Sequence, residues 1–202
     1  MKPFTKQELK AVGIILLAIV LASAYNFRIS IRRARDAQRR SDIGAIAGAL
    51  NRYQQDFGSF PLASSDGEIR ACAGEGFNAG EVKKMLETEK ALDFYELLAA
   101  CEWGKDALAD VLDPGYPPYL KVIPGDPRRG QGISYLYLSN GNRYQLYAYL
   151  EGGKSEVEFR EGIVVRKIAC GSKICNFGRA YSKTPLEKSI EEYENELIEE
   201  SK

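Results

Sequence analysis

The sequence predicts an α+β fold in which one long N-terminal helix, apolar enough in its first half to span a membrane, packs its second half against a small antiparallel sheet. Three observations carry this prediction. Ala11 to Phe27 is an uncharged, mostly apolar run; apolar residues at helical spacing continue beyond it to Phe57; and two alternating, tyrosine-rich segments flank Asn140-Gly141-Asn142. The chain accordingly divides into a short polar leader at 1–10, an apolar helix half at 11–27, an amphipathic half at 28–57, a globular head at 58–183 and an acidic amphipathic helix at 184–202.

A helix over 11–27 covers roughly 25 Å, enough to cross a bilayer with help from its flanks. Phe4-Thr5-Lys6-Gln7-Glu8 leads the run with a carboxylate three residues ahead of it, and the run reads as an anchor rather than a cleaved signal. Beyond it Ala37, Ile43, Ile46, Leu50, Tyr53 and Phe57 recur at three- and four-residue steps, with Arg39, Arg40, Asp42, Asn51, Arg52 and Gln55 largely between them. No proline interrupts residues 4–60, and Gly58 with Pro61 supplies a stop, so the two halves form one rod roughly 80 Å long.

Residues 62–80, rich in Ser, Gly, Asp and Ala, read as a variable loop. Glu81 to Cys101 reads as a helix, with Val82, Met85, Leu86, Leu92, Tyr95 and Leu98 on one side. The prolines at 114, 117, 118, 124 and 127 make residues 110–132 a coil. Ser134–Leu138 and Tyr144–Leu150 form a hairpin, because Asn-Gly accepts the positive φ of a tight turn. A third strand is expected within Val157–Ala169, with Gly162 as a bulge. Finally, Thr184-Pro185-Leu186-Glu187 reads as a capping box, opening a helix with a Leu186, Ile190, Tyr193 and Leu197 stripe.

Charges cancel overall, with 28 basic and 28 acidic residues, but they are segregated. Arginines crowd residues 28–40 and glutamates crowd 187–200, an asymmetry that suggests contacts between copies or with a surface. The absence of histidine excludes Ser-His and Cys-His catalysis. An enzyme would have to use carboxylates such as Asp106, Asp110 and Asp113, and nothing converges on them; no enzyme, cofactor or metal is assigned. Cys72, Cys101, Cys170 and Cys175 are poorly spaced for zinc, and an even count behind an anchor favours disulfides. Three pairings are open, of which Cys72–Cys101 with Cys170–Cys175 is favoured.

Several local motifs resemble those of type IV pilins and the major-pseudopilin-like proteins of type II secretion. Phe4-Thr5-x-x-Glu8-Leu9 resembles the family's start, and Arg35-Asp36-Ala37-x-Arg39-x-x-Asp42 a segment of its long helix. Asn51-Arg52-Tyr53 through Gly58-Ser59-Phe60-Pro61 resembles its helix exit, and Ile123-Pro124-Gly125-Asp126-Pro127 its turn before the hairpin. The resemblance implies a structural subunit assembling through the N-terminal helix with other pilin or pseudopilin subunits and an inner-membrane assembly platform, and the polar residues at the base of the rod point to a minor or accessory subunit or a monomeric membrane-anchored relative. It also implies a cytoplasmic N-terminus and an extracytoplasmic head, against the arginine excess after the span.

The chain departs from the family pattern at its start. Pro3 stands where members carry the glycine before the cleaved bond, with Phe4 following, and Lys6, Gln7 and Lys10 replace apolar residues. A proline there is expected to block processing. Glu8 has two readings: an assembly carboxylate that meets a neighbour's N-terminal amine, or the acidic half of a capping box with Thr5. An alternative function is DNA binding or uptake, with Arg32, Arg33, Arg39, Arg40, Arg128 and Arg129 on phosphates and hairpin tyrosines stacking on bases. Asp126 with nearby carbonyls is a further calcium candidate, though companion carboxylates are not evident.

Overall fold

The structure is a computed structural model that describes residues 5–86 and 97–201 of the 202-residue chain. Helix α1 runs unbroken from Lys6 to Phe57. It opens on Thr5 and ends at Gly58, whose φ of 77° lets its N–H reach the Gln54 carbonyl at 2.8 Å. The apolar and amphipathic halves are therefore one rod, as their shared periodicity predicts. Every residue from Thr5 to Arg28 is exposed, whereas Asp36, Arg39, Ile43, Ile46, Leu50 and Tyr53 form a buried stripe. The stripe begins with two charged residues; Ala37, expected on it, faces outward.

The head covers that stripe. Strands β1 (Leu62–Ala63), β2 (Ile69–Ala73) and β3 (Leu98–Ala100) form one antiparallel sheet in that order. Between β2 and β3, α2 spans Ala79–Leu86. Two corrections arise here. The 62–80 segment is not all loop, because Ile69 and Ala71 alternate inward within β2. The helix expected to reach Cys101 has given way to β3 by Leu98, which lies opposite Ala73 beside the Cys72–Cys101 disulfide. Leu92 and Tyr95 lie outside the described residues.

Strands β4 (Leu136–Ser139) and β5 (Tyr144–Ala148) form the expected hairpin, with Ser139 opposite Tyr144. Tyr144, Leu146 and Ala148 join α1 in the main core, while Tyr147 joins Ile163 and Leu186 in a second cluster. Because β5 is covered on both faces, all five of its residues are buried.

The third strand of this sheet is not where it was expected. Glu161–Val165 is a short helix, α3, that seats Ile163 in the second cluster. A separate β6–β7 pair (Ala169–Cys170, Lys173–Ile174) closes on the Cys170–Cys175 disulfide. The third strand is β8, Phe177–Ala180, beside β5. Its Gly178 hid it from sequence patterning, yet a Cβ there would come within 2.6 Å of the Leu146 carbonyl oxygen.

The last helix, α4, spans Ile190–Glu200 and is capped by Ser189 with Glu192, not by Thr184 with Glu187. The carbonyls of Pro185 and Lys188 accept from the Gln145 amide, and that of Leu186 accepts from the Tyr147 hydroxyl. Backbone acceptors held by the sheet in this way are not free for an earlier helical turn.

Candidate functional site

Two features set this chain apart from a closed globular domain: an uncovered apolar rod, and a charged joint where that rod enters the head. Within the rod Ile14, Leu17, Val20, Leu21, Tyr25 and Phe27 are each at least 60 % exposed. A water-soluble domain rarely leaves so large a contiguous apolar surface bare. This is the one helix among the described residues long and apolar enough to cross a membrane. With two disulfides in the head, the chain has the organisation of a single-pass membrane protein carrying an oxidised domain.

At the foot of the rod the capping box is formed. Glu8 Oε2 accepts from the Thr5 amide at 2.7 Å and from its hydroxyl at 2.8 Å, and the Glu8 amide reaches the Thr5 hydroxyl at 3.4 Å. Met1 to Phe4, including the Pro3–Phe4 processing position, lie outside the described residues.

The joint is built around Arg39, whose side chain is wholly buried. Its fork donates to Asp126 at 2.7 and 3.0 Å, and Nη1 also donates to Asp36 at 2.7 Å and Glu151 at 2.8 Å. Asp36 meanwhile accepts from the amides of Glu151 and Gly152, both at 2.9 Å, and Asp126 from the Arg128 amide at 2.7 Å. Arg35 grips Glu151 with two bonds of 2.6 and 2.7 Å, and Arg128 adds a third at 3.1 Å. Three separate segments, α1, the proline-rich coil and the exit of β5, thus meet at one charge-compensated cluster.

Its electrostatics follow from those contacts. Hydrogen bonds from Arg35, then Arg39, overcome burial and hold the Glu151 carboxyl at about 2. Burial alone would weaken the Arg39 charge, but Asp126 and Glu151 more than offset it and raise its pKa. Beside the cluster burial raises both Asp42 and Tyr135, which share a 2.8 Å hydrogen bond.

The expected nucleic-acid contacts do not converge. Arg39 is buried beyond reach of a phosphate, Arg40 pairs with Glu156 at 2.9 Å, and Arg128 binds Glu151 and Gln131. Arg129 donates to the Trp103 carbonyl. Of that set Arg32 and Arg33 make neither an ion pair nor a hydrogen bond among the described residues. Hairpin tyrosines 135, 137, 144 and 147 are all buried, which removes them as stacking platforms. The calcium candidate is likewise corrected, since both Asp126 oxygens are engaged by Arg39, with the Arg128 amide on one of them. Asp106, Asp110 and Asp113 cap local turns, accepting from the amides of Glu102, Leu112 and Gly115 respectively.

Sequence patterning missed the joint because Glu151 and Asp126 lie 112 and 87 residues from Arg39. The available signal was Asp36 and Arg39 sitting at the i, i+3 spacing that continues the apolar stripe of α1. No protein-family model, curated protein or solved structure matches this chain.

Proposed function

We propose that the chain is a structural subunit, minor or accessory, of a filament of the type IV pilus or secretion-pseudopilus class, with no chemistry of its own. The observation that carries this reading is a single 52-residue helix that is bare from Thr5 to Arg28 and buried along one stripe beyond Asp36. In a bilayer, lipid covers the bare half. In a filament, the same surface packs against the helices of neighbouring subunits while the heads tile the outside. The motif resemblance between Phe4 and the hairpin supports the class. Disulfides favour an extracytoplasmic head and hence a cytoplasmic N-terminus. Its partners in this reading are other subunits of the filament and an inner-membrane assembly platform.

The test is a photo-crosslinking residue placed at Leu16 of the full chain in its native membrane. A ladder of adducts to further subunits, extending beyond dimers, is the expected result. Adducts to lipid alone, in cells that are making filaments, would refute the reading.

A further inference from the structure

The six arginines that follow the apolar run split into two groups. Arg35, Arg39 and Arg40 are ion-paired with the head. Arg28, Arg32 and Arg33 have no hydrogen-bond or ion-pair partner among the described residues; Arg28 and Arg33 are exposed, and Arg32 Nε is buried yet unbonded. A guanidinium nitrogen withdrawn from water without an acceptor is unfavourable, so this collar is short of an anion.

The complementary group lies at the opposite pole of the head. The hairpin tip adjoins the end of the rod through the Phe60 amide on the Gly141 carbonyl at 2.7 Å. Helix α4 is fastened to that tip, with Glu194 on Asn140 at 2.8 Å and on Arg143 at 3.5 Å. Its outer residues Glu191, Glu199 and Glu200 are exposed and have no ion-pair partner among the described residues. Collar and cap are held apart within one copy, because 25 helical rises from Arg32 to Phe57 put the collar roughly 37 Å from the end of the rod that adjoins the hairpin tip.

We propose that the Arg28, Arg32 and Arg33 collar of one copy receives the α4 carboxylates of a second copy displaced by roughly 37 Å along the rod axis. This rests on the filament reading above and specifies its contact. The contact is heterologous: each copy offers a cap and a collar, so it repeats without closing and sets an axial stagger. Copies lying side by side without stagger would instead place like charges together, which opposes that register. A lipid headgroup would satisfy the collar but leaves the unpaired glutamates without a role; a second copy satisfies both.

The experiment compares self-association of the full chain in zwitterionic detergent by sedimentation velocity, using a collar reversal (R28E/R32E/R33E) and a cap reversal (E191K/E199K/E200K). Each reversal alone is expected to weaken association about tenfold at low salt, with the difference fading as salt rises. Mixing the two reversed chains should restore it, because the glutamate cap of one meets the arginine collar of the other. Unchanged association in either variant, or no rescue on mixing, overturns the proposal. So does loss of co-purified anionic phospholipid from the collar variant with association intact, which assigns the collar to lipid. Should the unaltered chain not associate at any salt, the filament reading itself falls; association that ignores both reversals leaves it standing and removes only this contact.

Discussion

Replacing Arg39 with Met tests whether the joint fixes the rod to the head. The substitution keeps most of the side-chain volume and removes the guanidinium. Glu151 would still be held by Arg35 and Arg128, and Asp36 by two backbone amides, but Asp126 would keep only the Arg128 amide. One buried carboxylate is thus stranded, and breaking a buried pair in this way costs about 3–5 kcal/mol. For a head of this size, each kcal/mol moves the melting temperature by about 2–4 °C, giving a fall of roughly 6–20 °C. Near-UV circular dichroism of the full chain in micelles, followed on heating at pH 7, measures it. The double variant R39M/D126N should recover part of the loss, because it removes the charge of the stranded carboxylate. A shift of less than about 2 °C, or strictly additive effects in the double variant, would refute the reasoning.

Glu151 sets the acid response. Its folded pKa of about 2 lies below the ordinary 4.5, so its stabilising contribution is complete above pH 4.5 and is lost as pH falls toward 2. Glu151→Gln should therefore be less stable at pH 7, yet flatter across that window in denaturant titrations. Loss of the Cys72–Cys101 bridge, which spans 29 residues, should cost about 3.5 kcal/mol, against about 2 for Cys170–Cys175, which spans 5. Alanine pairs compared by urea midpoint give the order, and a reversed order would contradict the loop-entropy account. Gly171→Ala should destabilise by at least about 1–2 kcal/mol, since φ is 66° and the new Cβ would run into the Gly132 carbonyl oxygen. Its amide exchange in the β6–β7 turn would rise if that is right. Intact-mass measurement of the chain from its native membrane should retain the residues before Phe4, and a new N-terminus at Phe4 would show that Pro3 does not block processing.

Legibility followed the range of the forces involved. The rod, its stop at Gly58 and the β4–β5 hairpin were readable because apolar period, αL glycine and Asn-Gly turn are written in adjacent residues. The elements beyond the hairpin were not. Ile163-Val164-Val165 has strand composition, but its place is decided by Tyr147 and Leu186 across the sheet, and a helical turn is what brings Ile163 to them. Thr184 to Glu187 fits a helix start, yet Gln145, Tyr147 and Arg166 hold the carbonyls that such a start would use. The Arg35-Asp36-x-x-Arg39 segment was readable as a motif, but its reason was not: its partners arrive from the proline-rich coil and from the end of β5.

The charged joint also explains how one helix serves two surroundings without slipping between them. Apolar contacts between α1 and the sheet are non-directional, and a helix displaced by one residue, about 1.5 Å and 100° of turn, could still find some apolar cover. Arg39 cannot be so displaced. Its fork must face both Asp126 oxygens while Asp36, one turn earlier, accepts the two amides that follow β5. Any slip leaves several buried charges unpaired, at several kcal/mol, and so excludes neighbouring registers more strongly than packing does. In a filament, where the bare half of the rod meets other subunits and the head sets the outer surface, an error in this joint would be copied at every subunit. The stranded-carboxylate variant therefore has a second expected phenotype: at temperatures where its head remains folded, the axial stagger between subunits should become irregular.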